Sequence, residues 1–163
     1  MRIEGEYTFG APREVVFDLL QDAEVLAKAM PGATALVEVS PGTYEAQVAV
    51  KVGPVSGTYA GHVSVKDERR PEHFILVVEG KGAAGFLKGD GAIDLEEVPE
   101  GTLIHYAGET HVGGRIAQVG QRLIQSVARK LISEGLQSLE GQLAAQQALA
   151  SQDGAPTQVE STS

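Results

Sequence analysis

From Arg2 to Phe9, Ile3, Gly5, Tyr7 and Phe9 alternate with Arg2, Glu4, Glu6 and Thr8. A period of two predicts a strand with one wet face. Pro12 then suits the first turn of a helix whose apolar side is Val15, Val16, Leu19 and Leu20, and Asp22 can cap a second short helix ending at Met30. Past Met30-Pro31-Gly32 the period changes. Thr34 to Val39, Thr43 to Val52, Val55 to Asp67, His73 to Gly80, Ala92 to Val98 and Thr102 to Val112 all read as strands. Their connectors are short and rich in Gly and Pro, which predicts consecutive antiparallel neighbours.

A helical period follows from Gly114 to about Gln147. Ile116, Val119, Leu123, Val127, Leu131, Leu139 and Leu143 recur at steps of three or four, the mark of a buried stripe. Arg115, Arg122 and Arg129 fall seven apart on a separate, wet row that would suit docking of an acidic partner. Gly120 interrupts the stripe, where glycine costs roughly 1 kcal/mol against alanine. Close helix-to-strand packing and room for a ligand are both adequate reasons for it. The fold class is α+β, with a seven-stranded curved antiparallel sheet wrapped on one long C-terminal helix and two short helices after the first strand.

That arrangement has a geometric consequence. A wide sheet twists and curls, and one rod about 10 Å across leaves part of the concavity unfilled. Alternation directs Tyr44, Ala46, Val48, Val50, Gly57, Tyr59, Gly61, Val63, Leu76, Tyr106 and Gly108 inward. With Phe86 and the helical Ile116, Val119, Gly120, Leu123 and Val127, these residues predict an apolar cavity with tyrosine hydroxyls for a polar head.

Composition narrows the classes. At 163 residues the chain suits one domain, and 42% hydrophobic residues permit a core. A formal charge of -9 disfavours general binding to DNA or RNA. With no cysteine, disulfides, thiolate catalysis and cysteine-held metals are excluded. No signal peptide or membrane span is evident, so the expectation is a cytoplasmic protein, at most peripheral at the inner face of the membrane. The domain is expected over 1–148, with a polar, disordered segment over 149–163.

Chemistry-bearing motifs are sparse. His105, Glu109 and His111 share a strand face but spread too far along it to hold one ion, and His62 and His73 have no obvious partner. Gly80-x-Gly82-x-x-Gly85 matches a dinucleotide fingerprint by letters alone, since no helix follows it. Neither a catalytic residue nor a metal is expected. The glycine-rich stretch 80–91 reads as a mobile loop, and Phe86 and Leu87 between Lys81 and Lys88 suggest a gate that meets a bilayer interface.

In their order and spacing, Phe9-Gly-Ala-Pro12, Met30-Pro31-Gly32, Lys51-Val-Gly-Pro-Val55, Gly80-Lys-Gly82 and Gly113-Gly114-Arg115-Ile-Ala-Gln-Val-Gly120-Gln-Arg122 give a resemblance over residues 1 to about 147. The chain resembles the START-like (SRPBCC) superfamily of helix-grip domains and, more narrowly, the CoxG family of carbon monoxide dehydrogenase subunits. The resemblance implies a non-catalytic accessory role beside molybdenum hydroxylases of the carbon monoxide dehydrogenase type. It also implies membrane attachment and handling of a respiratory isoprenoid quinone, menaquinone or ubiquinone, with no covalent cofactor. Some relatives end in an apolar segment; this chain ends in a polar one. Two other classes stay open on this fold: an enzyme of the polyketide cyclase or hydrolase kind, and a pure interaction or assembly module.

Overall fold

The computed structural model describes residues 1–30, 32–34, 36–51 and 53–162, with side chains for all of these except Pro54 and residues 150–162. The strands are β1 (Arg2–Phe9), β2 (Val37–Ser40), β3 (Thr43–Val50), β4 (Gly57–Arg69), β5 (His73–Gly82), β6 (Gly85–Val98) and β7 (Gly101–Gly113). They form one antiparallel sheet in the order β1-β7-β6-β5-β4-β3-β2. Helices α1 (Arg13–Leu19) and α2 (Ala23–Ala29) follow β1, and α3 (Gln121–Thr162) ends the order of elements. The architecture is α+β, as the alternation predicts. Asp22 caps α2, its carboxylate accepting from the backbone N–H of Glu24 at 3.0 Å and of Val25 at 3.3 Å.

Of the boundaries that differ from the sequence reading three bear on the site; β2 also starts at Val37 instead of Thr34, and β3 ends at Val50. Gly80–Gly91 is not a loop: it runs from the end of β5 through a tight turn at Ala83-Ala84 into β6, with Gly80 facing Leu87 and Gly82 facing Gly85. Val55 ends a 3-10 turn (Gly53–Val55) instead of starting β4. The helical pattern from Gly114 is broken into a second 3-10 turn (Arg115–Val119) and α3, with Gly120 between them at φ 97° and ψ 148°. That conformation is open to glycine and strained for other residues, and a Cβ at Gly120 would meet no atom within 4 Å. Backbone shape, not close packing, therefore explains this glycine. Gly120→Ala is expected to cost roughly 1–3 kcal/mol, read as a fall of several degrees in melting temperature. The segment expected to be disordered, 149–163, falls on the last turns of α3 as far as Thr162, and within it only Leu149 has a described side chain. Pro31 and Val52, placed by the sequence in a turn and at a strand end, lie outside the described residues.

Packing is divided between the two ends of the concave face. The larger cluster joins Phe9, Val16, Phe17, Leu19, Phe74, Leu95 and Ile104 to Leu139 and Leu143 of α3. Phe17 meets Phe74 edge-on with centroids 5.4 Å apart, a favoured aromatic geometry. Thr102, fully buried, donates its hydroxyl to the Ala11 carbonyl at 2.7 Å and so enters the core without an unpaired group. The smaller cluster, at the other end, joins Val55, Ile116 and Val127, with Val50, Tyr59, Ala84, Val112, Val119 and Leu131 against it. The apolar side of α3 therefore divides along its length: Val127 and Leu131 serve one cluster, Leu136, Leu139 and Leu143 the other.

Candidate functional site: a trough between two clusters

Register fixes what lines the sheet between the clusters. Ala46 of β3, Gly61 of β4, Gly80 of β5 and Leu87 of β6 are successive cross-strand partners. The next row is Tyr44, Val63, Val78 and Gly89, and the one after it runs Val65, Leu76, Gly91 and Gly108. Glycines thus recur in the middle of the concave face, bracketed by large side chains at both ends.

A Cβ at Gly80 would meet no atom within 4 Å, and at Gly61 only backbone oxygens. Tyr44, Val48, Val63, Leu76, Val78 and Leu87 are half-buried, whereas the cluster residues at either end are sealed. Between the clusters the concave face is therefore a half-buried band, a trough, with open space above Gly80. Two clefts lie elsewhere. One of about 200 Å³ is bordered by Glu79, Lys88, Asp90, Glu109 and His111, and one of about 220 Å³ by Met1, Thr110, Val112, Ala117, Gln121 and Ile124. Neither carries a tyrosine and neither reaches the roughly 300 Å³ usual for a small-molecule site, whereas the trough places Tyr44, Tyr59 and Tyr106 among apolar neighbours.

The structure brings most of the predicted lining residues together. Tyr44, Val48, Val50, Tyr59, Val63, Leu76 and Tyr106 share the concave face by register, and Ile116, Val119 and Val127 close its smaller-cluster end. Three residues stand apart. Phe86 is 41% exposed and pairs with Gly113, where a Cβ would strike its ring, so it lies on the convex face while Leu87 points inward. Leu123 is 37% exposed at the start of α3, and Gly120 is exposed at the break before it. Gly80, Gly89 and Gly91 are the lining positions that the sequence reading missed.

The tyrosines differ in what holds them. Tyr59 donates its hydroxyl to the Val55 carbonyl at 2.7 Å, and burial raises its pKa. Tyr44 is raised by burial and then by Glu38 beside it; Tyr7 is raised by burial and then by Glu140 of α3. Each shift favours the neutral hydroxyl. Tyr106 lies across Gly5, where any side chain would strike its hydroxyl.

The histidines sit on the opposite, convex face, and two of them have partners that the sequence did not suggest. His73 meets Asp94 at 2.7 Å and His62 meets Glu45 at 3.3 Å, each pair in cross-strand register. His105 lies 3.5 Å from both Glu6 and Glu96. Among the described residues no group of three or more His, Cys, Asp or Glu could hold a metal ion. Arg115 donates to the Ala83 carbonyl at 3.2 Å and belongs to the second 3-10 turn, so it does not share one helical row with Arg122 and Arg129.

The family model for CoxG, a subunit of carbon monoxide dehydrogenase, matches residues 5–144. The chain belongs to the CoxG family. This family is one of accessory subunits, so membership carries an accessory role in association with carbon monoxide dehydrogenase. No curated protein matches the chain. Among solved structures, a conserved protein from Geobacillus kaustophilus is 29% identical with a TM-score of 0.86, over 89% of this chain and 96% of that one. A Mycobacterium smegmatis protein is 18% identical with a TM-score of 0.67, over 89% and 92%. A Thermus thermophilus protein is 16% identical with a TM-score of 0.66, over 89% and 98%. The last two show the shared fold alone. Among the described residues no helix is long and apolar enough to cross a membrane.

Proposed function

We propose that this CoxG-family chain carries an isoprenoid quinone, menaquinone or ubiquinone, in the trough and links carbon monoxide dehydrogenase to the membrane quinone pool without catalysing a reaction itself. The observation that supports this reading is Gly80, where a Cβ would meet no atom within 4 Å, set between the two clusters among the half-buried Tyr44, Val63, Val78 and Leu87. An isoprene unit has five carbons, so its full burial is worth on the order of 4 kcal/mol at about 0.8 kcal/mol per carbon. Two or three units give usable affinity with no charged contact.

Organic extraction and native mass spectrometry of the purified chain test the reading. The expected result is a bound quinone, with a mass increment set by its tail, that is lost when the protein unfolds. A ligand-free protein that also ignores added menaquinone and ubiquinone would refute it.

A further inference from the structure

The concave face is short of hydrogen-bond donors. By register, every Lys, Arg and His of the described strands falls on the convex face, from Arg2 and Lys66 to Lys88 and His111, and Arg122, Arg129 and Lys130 of α3 are exposed. What the concave face has instead is hydroxyls, each with one proton and two lone pairs. Most of those protons are already placed. Tyr59 donates to the Val55 carbonyl at 2.7 Å, Thr102 to Ala11 at 2.7 Å and Thr110 to Met1 at 3.1 Å. Tyr44 stands beside a carboxylate, since Glu38 of β2 is its cross-strand partner, and Glu140 of α3 faces Tyr7. Among the described residues Tyr106 alone of the tyrosines lacks such an acceptor; its hydroxyl lies over Gly5, and β7 is four strands from β3 in the sheet order.

We propose that the trough prefers the hydroquinone form of its cargo to the quinone, with the head group at Tyr44 and Glu38. The inference rests on the carrier reading and adds the redox state to it. A quinone carbonyl only accepts hydrogen bonds, whereas a hydroquinone hydroxyl donates one, so the carboxylate of Glu38 and the lone pairs of Tyr44 complement the reduced head. A polar group buried without a partner weakens binding, and the quinone carbonyls would be left in that position. Place selects this pair as well as chemistry. The row of Tyr44, Val63, Val78 and Gly89 adjoins the row of Gly61 and Gly80, so a prenyl tail over Gly80 brings its head to Tyr44 within one row. Tyr59 packs against the smaller cluster and Tyr7 against the larger, and Tyr106 is too many strands away to reach the same head. Tighter binding of the reduced form raises the potential of the bound couple. Such a carrier favours removal of reduced product from an oxidoreductase over delivery of oxidised substrate to it.

Titration of the full chain with a short-chain ubiquinone analogue, either oxidised or pre-reduced with dithionite and kept free of oxygen, tests the preference. The reduced form is expected to bind about tenfold more tightly, the scale of one hydrogen bond to a charged group. That ratio is a rise of about 30 mV in the two-electron midpoint of the bound couple. In Glu38→Gln, whose amide can donate as well as accept, the ratio should fall to about twofold or less as the quinone gains affinity. Glu38 is exposed, and an unchanged melting temperature confirms folding. Glu79→Gln, on the convex face, should keep the wild-type ratio. Equal or tighter binding of the quinone, or a ratio that Glu38→Gln leaves intact, would overturn the proposal while the carrier reading stands. Binding of neither form would end both.

Discussion

Gly80→Leu is expected to abolish quinone binding without weakening the fold. Gly80 lies in the regular part of β5, its φ is not positive, and a Cβ there meets nothing within 4 Å. A leucine enters without backbone strain, and it removes a glycine that disfavours a strand interior. Its four carbons occupy the row shared by Gly61 and Leu87, where the prenyl chain is placed. A ligand at one hundred times its dissociation constant adds about 2.7 kcal/mol of stability, roughly 5–10 °C in melting temperature for a chain of this length. The wild type should show that rise with a short-chain quinone, and Gly80→Leu should not. The variant's own melting temperature, without ligand, should equal or exceed that of the wild type. A quinone-induced rise as large in Gly80→Leu as in the wild type would move the ligand out of the trough.

How the sequence conveyed the fold, and where it fell silent, turns on the same glycines. Alternation was legible wherever one face carried Val, Ile, Tyr or Phe, as in β1, β3 and β4, and the order of connectors then dictated the topology. In β6 the inward set is Leu87, Gly89, Gly91, Ile93 and Leu95, against Lys88, Asp90, Ala92, Asp94 and Glu96. Its period of two is intact. Glycine contributes nothing to a hydrophobic pattern, so half of that strand read as a loop, and the bare part of the concave face went with it. Phe86 was misplaced for the same reason: without a strand there was no face to assign it to.

The helical end failed differently. Ile116, Val119, Leu123 and Val127 keep a helical spacing across Gly120, but their periodicity does not register a residue with φ 97°. Only backbone geometry separates the 3-10 turn from α3. The cross-strand pairs His73–Asp94 and His62–Glu45 depend on register between strands, which local spacing does not encode.

The largest loss of stability is expected from Phe74→Ala. Phe74 is 1% exposed at the start of β5, with Phe17 of α1 edge-on to its ring and Phe9, Leu95 and Ile104 in the same cluster. Removing a buried aromatic ring and leaving its space costs about 3–5 kcal/mol. That is a large part of the roughly 5–15 kcal/mol that stabilises a typical domain. The melting temperature should fall by roughly 6–20 °C. Phe86→Ala, by contrast, removes a ring that is 41% exposed on the convex face and should change stability by less than about 1 kcal/mol. Calorimetry on the two variants therefore compares two phenylalanines whose side chains lie on opposite faces of one sheet. Because the ring of Phe74 sits in the larger cluster, beyond the row of Leu76 and Gly91, its loss leaves the trough lining in place. Below its lowered melting temperature, Phe74→Ala should still bind quinone with wild-type affinity. Loss of binding in the folded variant would mean that the two clusters and the trough between them respond as one packed unit, and that the glycines alone do not define the site.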